Sequence, residues 1–208
     1  MRGFSHVVPL QLPGAASLLH YDRTSGALEL ELVDPITGAP QTAASTAANT
    51  LKAWHPLLSA LTPVTLGGIP HVVGVDAAAR KVIVARAELP ALPRLGVQEP
   101  AIVLKDTFIS PDGFLMPMQT HALGFTHHKH PKLLTYSTHD GGARVYEIRG
   151  DGSGMDFVYG WALAPGASAL FDVGLPALGL IPPTSRLTVD HLWFYNAGLR
   201  RFTVFQLR

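Results

Sequence analysis

The sequence contains no cysteine among its 208 residues, and only 15% of those residues are charged. Without cysteine the chain can form neither a disulfide framework nor a thiolate metal site, so packing must hold the fold together. Sixteen lysines and arginines against fifteen aspartates and glutamates give a formal net charge of +1. Basic side chains are not gathered into the stripe that phosphate-backbone binding requires, so nucleic acid is excluded as an expected partner.

Long apolar runs are also missing. No stretch of about 18 apolar residues occurs, and residues 1–14 lack the apolar segment of a signal peptide. The sequence therefore predicts a soluble protein without a membrane partner, and the lack of cysteine favours a cytoplasmic location. A hydrophobic content of 47% is sufficient for a substantial core, and a single domain covering residues 1–208 is expected.

Helical periodicity is nearly absent from the sequence. Short β-branched and aromatic runs are instead separated by glycine, proline, aspartate and asparagine, which predicts an all-β fold. Residues 42–54 are rich in alanine and threonine, and this composition allows either a short helix or a loop. Residues 87–100 and 175–185 contain repeated prolines, which cannot donate to a sheet, so both stretches are expected to be surface loops.

A degenerate repeat occurs four times along the chain. Each copy has an apolar strand, a turn rich in small and polar residues, and a second strand, with a further apolar strand expected upstream. The first strand of each pair ends at an equivalent residue: Tyr21, Val75, Tyr136 and Tyr195. The residues that follow are Asp22, Asp76, Ser137 and Asn196. Their short side chains can bond the local backbone and start a hairpin turn.

Four such units predict a four-bladed β-propeller with blades of three to four antiparallel strands. The approximate blade limits are residues 1–52, 53–107, 108–161 and 162–208. The upstream strands are expected at residues 4–12, 58–66, 114–123 and 167–175, and the third copy has a fourth strand at 155–161. Because the chain ends soon after its last strand, either the fourth blade is short or residues 1–8 complete it.

Three segments resemble the blade repeat of tachylectin-2-like propellers: the Gly-Gly turn and strand at residues 64–73, the Leu-Leu-x-Tyr strand at 130–136, and residues 161–207. The resemblance covers most of the chain in four inexact copies. It implies the propeller fold. It also implies sugar binding, since tachylectin-2 is a lectin with a pocket in each blade.

Two tryptophans, Trp54 and Trp193, have no counterpart in the other repeats. Their flat apolar faces with a polar tip are suited to sugar rings or to peptide side chains. The polar candidates for binding the same ligand are His71, His139, Asp140 and Asn196. The simpler interpretation is inter-blade packing for the aromatic residues and turn capping for the polar ones.

Five of the ten histidines cluster at residues 121–139: His121, His127, His128, His130 and His139. On an extended strand, His128 and His130 would point to the same face, and neutral imidazoles are common metal ligands, so a metal site at this pair is one hypothesis. The other is a solvated surface loop. No cofactor is expected elsewhere, because the sequence contains neither a phosphate-binding loop nor a serine-nucleophile motif.

Three functions are compatible with these observations. The first is a lectin-like protein that binds a carbohydrate or another small molecule. The second is a cofactor-free cyclase or isomerase that uses histidine and tyrosine as acid and base. Divergence between the repeats favours the second, because His20, Gly74, Thr135 and Phe194 precede the equivalent residues. The third is a peptide- or protein-binding module. The sequence favours binding over catalysis and leaves the enzyme question open.

Overall fold

A computed structural model describes residues 4–12, 15–34, 36–39, 50–51, 53–88, 103–127, 129–162, 169–174, 190–196 and 198–206. All the secondary-structure elements in these ranges are β-strands, which confirms the all-β prediction. The described ranges contain no helix of the length and hydropathy needed to cross a membrane. Most of residues 42–54 and of both proline-rich stretches lies outside these ranges.

The strands form four antiparallel sheets, each built from one segment of the chain. Sheet 1 contains β1 (His6–Leu12), β2 (Ala15–Tyr21), β3 (Leu28–Val33) and β4 (Thr50–Leu51). Sheet 2 contains β5 (Ala60–Leu66), β6 (Ile69–Asp76), β7 (Lys81–Glu88) and β8 (Val103–Ile109). Sheet 3 contains β9 (His121–His127), β10 (His130–Tyr136), β11 (Gly142–Ile148) and β12 (Met155–Ala162). Sheet 4 contains β13 (Ala169–Gly174), β14 (Asp190–Asn196) and β15 (Arg201–Gln206).

The repeat found in the sequence is visible in the strand register. In every sheet the equivalent residue at the end of the second strand pairs with the residue seven positions later. These pairs are Tyr21 with Leu28, Val75 with Val82, Tyr136 with Ala143, and Tyr195 with Phe202. A hairpin of constant length therefore recurs four times. The fourth sheet has three strands in the described residues, and β13 and β14, which end at Gly174 and begin at Asp190, are further apart along the chain than the first two strands of the other sheets.

The small polar residues after these strands cap the turns, as the sequence predicted. The backbone N–H of Thr24 donates to Asp22 Oδ1 at 2.9 Å, and that of Ala79 donates to Asp76 Oδ1 at 2.9 Å. In the fourth copy the N–H of Leu199 donates to Asn196 Oδ1 at 3.0 Å. Each side chain replaces a backbone acceptor inside its turn, so the same turn shape recurs in different sheets.

The first strand of sheet 3 lies further along the chain than the sequence indicated. We expected a strand at residues 114–123, whereas β9 begins at His121. Of the apolar residues before it, Leu115 is 1% exposed and its N–H bonds the carbonyl of Arg80, whereas Met116 is 45% and Met118 is 55% exposed. Met118 has a positive φ of 65°, which is incompatible with a strand. Hydrophobicity thus indicated burial correctly for Leu115 but not for the two methionines, and it did not indicate the secondary structure.

The N-terminal segment belongs to sheet 1. Residues from His6 onward form β1, which pairs with β2 in the register His6 to Tyr21. The suggestion that residues 1–8 complete the fourth blade is therefore wrong for residues 6–8, and residues 1–3 lie outside the described ranges. Within the described residues, sheet 4 has three strands.

The sheets pack against one another in chain order through their first strands, with contacts from β1 to β5, β5 to β9 and β9 to β13. Gly124 in β9 approaches β5 so closely that its N–H donates to Thr62 Oγ1 at 2.7 Å. Pro9 and Pro63 lie within β1 and β5. Both strands are sheet edges, where a missing N–H costs no ladder hydrogen bond.

Buried side chains cover both faces of the middle sheets. Val72 packs into the core between sheets 1 and 2, whereas its neighbour Val73 packs into the core between sheets 2 and 3. In sheet 3, Leu133 joins the second of these cores and Leu134 joins a third core on the opposite face. Two-sided burial explains why these strands lack strict apolar and polar alternation.

Candidate functional site

The cavities in the described part of the molecule include two of similar volume. The first, of about 530 Å³, lies among the first strands of sheets 1 to 3, with Pro9, Pro63 and Gly124 in its wall. These three residues occupy the same position, the fourth, in β1, β5 and β9. Its described lining is apolar apart from serine and threonine and contains no charged side chain. It therefore has few groups that could orient a polar ligand.

The second cavity, of about 490 Å³, lies on sheet 3 between β11, β12 and the segment before β9. We call it the sheet 3 cavity. Its lining consists of Met116, Pro117, Gln119, Ser137, Asp140, Gly142, Ala143, Arg144, Phe157, Gly160, Trp161 and Ala162. Unlike the first cavity, it combines an aromatic ring, a cation and a carboxylate.

The floor of the sheet 3 cavity is built from residues with little or no side chain. In the ladder between β11 and β12, Gly142 pairs with Ala162, and Arg144 pairs with Gly160. Alternate residues of a strand share a face, so Gly142 and Arg144 lie on the same side of the sheet. Because these residues are small, the backbone beside Arg144 is uncovered, and the cavity lies over it.

A β-bulge brings Phe157 to the same face. Val145 pairs with Tyr159, but the next residue, Tyr146, pairs with Phe157, so Val158 is the extra residue. The bulge reverses the alternation of β12, because one added residue turns the following side chains to the opposite face. Tyr159 and Trp161 consequently pack into the third core. Phe157 stands 53% exposed beside the cavity.

Arg144 lies against the ring of Phe157. Its Cζ atom is 5.2 Å from the ring centroid, which is a cation–π contact. Tyr146 supports the ring edge-on, with 5.9 Å between the centroids. Nothing in the described part of the chain forms an ion pair with Arg144. The guanidinium is thus held in place by an aromatic ring while its charge stays uncompensated.

Asp140 supplies the negative charge at the other end of the cavity. It lies in the turn between β10 and β11, exposed to solvent, and its Oδ1 accepts the N–H of Gly142 at 2.9 Å. Hydrogen bonds from the Ser137 hydroxyl and from this N–H lower the pKa of the carboxyl group below its ordinary value. Asp140 is therefore ionised at neutral pH and can accept hydrogen bonds from a ligand.

A buried polar contact holds the cavity wall in place. The Thr135 hydroxyl in β10 donates to Gln119 Oε1 at 2.8 Å, and both side chains are almost completely buried. This bond ties the segment before β9, which carries Met116 and Pro117, to the sheet. Because each partner would otherwise be a buried polar group without a hydrogen bond, the contact favours one position of the wall.

Trp54, a predicted ligand residue, lies in the core between sheets 1 and 2 and is 7% exposed. Its indole Nε1–H donates to Asp106 Oδ1 at 2.8 Å. His55 bonds the second oxygen of the same carboxylate at 2.8 Å. A ligand-binding role for Trp54 stays a prediction, and the structure gives the ring a packing role.

His71, the second predicted residue, is 3% exposed. Its Nδ1 bonds the Ile69 carbonyl at 2.9 Å, and its buried Nε2 has no hydrogen-bond partner among the described residues. The turn around Gly152 covers the ring, since a Cβ built on Gly152 would lie 3.4 Å from Nε2. Burial lowers the pKa of His71, so the ring is neutral at neutral pH. It lines neither of the two cavities.

The remaining predicted ligand residues are divided between sheets 3 and 4. Asp140 lines the sheet 3 cavity, and His139 is its exposed neighbour in the same turn. Trp193 lies on β14, paired with Phe171 and Val204, and its side chain is outside the described part. Asn196 caps the following turn. Of the six residues predicted from the sequence, Asp140 is the one that lines this cavity.

One member of the predicted metal pair lies within the described residues. His130 is the first residue of β10, and its Nδ1 lies 3.1 Å from Glu147 Oε1. Position 128 is outside the described ranges. Across the residues that are described, no group of three or more histidine, cysteine, aspartate or glutamate side chains could hold a metal ion. Metal binding by His128 and His130 stays a prediction.

Sequence reasoning missed Arg144, Phe157 and Gly160. The alternation of Phe157, Tyr159 and Trp161 places all three on one face of a regular strand, and the bulge that separates them has no recognisable signal in the sequence. Arg144 is an ordinary charged residue in a strand until its neighbours are known.

No model of a known protein family matches the chain, and no curated protein matches it.

Proposed function

We propose that this protein is a four-bladed β-propeller that binds carbohydrate in the sheet 3 cavity. Four features support the propeller: four consecutive antiparallel sheets, a hairpin of constant register, packing in chain order through the first strands, and burial on both faces of the middle sheets. Closure of the ring requires sheet 4 to pack against sheet 1. The resemblance to tachylectin-2-like repeats is consistent with this arrangement.

One observation carries the proposed binding site. An exposed phenyl ring, a guanidinium and an ionised carboxylate surround an uncovered backbone floor in one cavity of about 490 Å³. A sugar ring presents an apolar face of C–H groups and a rim of hydroxyls. Phe157 fits the apolar face, Arg144 can donate to ring or hydroxyl oxygens, and Asp140 can accept from hydroxyls.

A glycan array probed with the labelled intact chain tests this proposal. We expect reproducible binding to a set of related sugars. The variants Phe157→Ala and Asp140→Asn should each weaken that binding about tenfold or more, since each removes a direct contact. Phe202→Ala is the matched control, because Phe202 is a similarly exposed phenylalanine, 56% exposed, in sheet 4.

Binding should survive dialysis against EDTA, because the proposal uses no metal ion. If EDTA abolishes binding, the histidines around His130 become the site to examine. A blank array, or equal losses in Phe157→Ala and Phe202→Ala, would contradict carbohydrate binding at this cavity.

A peptide-binding module is the second candidate. Met116 is 45% exposed and Met118 is 55% exposed, and both lie in the segment that forms one wall of the cavity. Exposed methionine side chains adapt to varied apolar partners. Peptide binding that is lost in a Met116→Ser, Met118→Ser double variant, combined with a blank glycan array, would favour this function.

The acid–base enzyme hypothesis has less support from this site. The described lining of the sheet 3 cavity contains no histidine and no tyrosine. Tyr146 lies beneath it, and burial raises the pKa of its hydroxyl, so Tyr146 is not a base at neutral pH. Binding without catalysis therefore fits the sheet 3 cavity best.

A further inference from the structure

Arg144 carries a charge that the described protein does not neutralise. Its side chain is half-buried, its partner is the ring of Phe157, and no described carboxylate pairs with it. A guanidinium that has lost part of its water gains most from an anion, because hydrogen bonds between charged groups are stronger than neutral ones. The cavity therefore presents a prepared position for a negative group.

We infer that the carbohydrate bound in the sheet 3 cavity is acidic and that Arg144 binds its negative group. This inference rests on the proposed function and goes beyond it by naming the ligand class. The planar guanidinium matches a carboxylate or a sulfate group through two parallel hydrogen bonds. Phe157 contacts the guanidinium through its ring, with 5.2 Å from Arg144 Cζ to the ring centroid, and this contact does not compete for the N–H donors.

The floor of the cavity leaves Arg144 accessible. Gly160 lies directly across the ladder from it, and a Cβ built there would be 3.3 Å from Arg144 Cγ and 3.0 Å from the carbonyl oxygen of Ala143. A larger residue at position 160 would crowd the arginine stem. The glycine thus leaves room for both the arginine side chain and a ligand group beside it.

The surrounding charges limit the ligand to one acidic group at this site. Arg144 is the one cation in the described lining, and Asp140 is an ionised carboxylate in the same cavity. A second negative group on the sugar would lie near Asp140 and would have no described cation in the lining to pair with. Like charges at close range repel each other. The net charge of the chain is only +1, which gives little attraction for a polyanion. A short glycan with a single acid fits best.

The experiment compares ligands that differ only in the acidic group. Sialyllactose is measured against its carboxyl-reduced form, galacturonate against galactose, and monosulfated lactose against lactose. Heparin serves as the polyanion. We expect the intact chain to bind at least one monoacidic glycan about tenfold more tightly than its neutral parent, in keeping with a hydrogen-bonded charge pair.

Variants identify the residue responsible. Arg144→Gln should abolish the preference for the acidic glycan, because it weakens binding of the acidic glycan far more than binding of the neutral parent, for which glutamine keeps a neutral hydrogen-bond donor. Arg144→Lys should restore part of the preference, because it returns the charge without the planar pair of donors. Arg201→Gln, which removes an exposed arginine from sheet 4, should keep the full preference.

The outcomes separate this inference from the proposed function. Equal binding of acidic and neutral glycans, unchanged in Arg144→Gln, overturns the acidic ligand and leaves carbohydrate binding intact. Failure of every glycan to bind overturns both. Heparin binding that exceeds all others and survives in Arg144→Gln also overturns the inference. A preference for sulfated lactose over sialyllactose supports the inference and assigns the negative group to sulfate.

Discussion

Glycines in two regions of the molecule serve opposite purposes. In sheet 2, a Cβ built on Gly74 would lie 2.7 Å from Leu58 Cδ1 and 3.2 Å from Trp54 Cη2, so side chains from outside the sheet fill the space. In sheet 3, the nearest atoms to a Cβ on Gly160 belong to Ala143, Arg144 and Phe157 of the same sheet. One glycine admits a packing partner, whereas the other leaves a cavity. The residue type alone does not distinguish these roles.

The largest expected effect on stability concerns Trp54, which packs beside Gly74. Trp54→Ala should lower the free energy of unfolding by about 3–5 kcal/mol, because it empties a core site and leaves Asp106 without its indole partner. Urea denaturation measures the change. Trp54→Phe, which keeps most of the volume, should lose about 1–2 kcal/mol.

Glycan binding by the folded fraction should be the same in both Trp54 variants as in the native chain. If Trp54→Ala leaves stability unchanged and abolishes binding, the ring contacts ligand after all and the comparison fails.

The next effect concerns the contact between β5 and β9. A Cβ on Gly124 would lie 2.4 Å from Val64 Cγ1 and 2.7 Å from the Pro63 carbonyl oxygen. Gly124→Ala should therefore destabilise the protein by about 1–3 kcal/mol through overpacking, since the backbone oxygen cannot move aside cheaply. Thermal unfolding by circular dichroism, with Gly160→Ala as the counterpart, measures the difference. A larger loss in Gly160→Ala than in Gly124→Ala would show that the cavity floor is the more tightly packed position.

A smaller effect follows from His71, which is 3% exposed. Burial lowers its pKa in the folded protein, so the unfolded chain, with a histidine pKa of about 6.5, takes up the proton first as the pH falls. The stabilisation from neutral His71 is thus complete above about pH 6.5 and is lost as the pH falls through the lower folded-state pKa.

Stability curves between neutral and mildly acidic pH test this sign. His71→Gln should reduce the loss of stability on acidification, and His139→Gln, at an exposed turn, should not. Part of the loss should persist in His71→Gln, because burial also lowers the pKa of His121. A native slope that is unchanged in His71→Gln would show that the buried ring is not the source.

A substitution in the sheet 3 cavity is expected to have the smallest effect on stability and a large effect on binding. Ala162 is exposed at the end of β12 and lines the sheet 3 cavity. Ala162→Leu should change the free energy of unfolding by no more than about 0.5 kcal/mol, as is usual for surface substitutions. It should nevertheless weaken glycan binding by filling the cavity. Val158→Leu on the same strand is the matched control. Unchanged binding in Ala162→Leu would place the ligand elsewhere.

Much of the fold was readable from the sequence because it depends on local chemistry. Asp22, Asp76 and Asn196 each cap a turn within three residues, and such short-range bonds leave a pattern at fixed spacing. The β-branched and aromatic runs predicted strands, including the fourth strand of the third copy, for the same reason. The strand expected at residues 114–123 was wrong in position, since Leu115 is buried equally well in an irregular segment, where its N–H bonds the carbonyl of Arg80.

The candidate site was predicted far less completely. Asp140 was found as a turn residue, whereas Arg144 and Phe157 come together only through a bulge and a ladder register. Trp54 was selected as a ligand residue because its position does not repeat, and the structure shows that an unrepeated residue can equally fill a gap beside Gly74. A side chain's availability depends on what packs against it, which is a property of distant parts of the chain.

The sequence by itself determined the all-β class, the fourfold hairpin repeat and the absence of disulfides, because these follow from composition, turn chemistry and alternation over a few residues. Only the tertiary structure decided which aromatic rings are buried, that β12 turns Phe157 to the face of Arg144, and where space remains between the elements. Close packing makes this difference: side chains from outside the sheet fill the space beside Gly74, whereas atoms of sheet 3 itself surround Gly160, which lines the sheet 3 cavity.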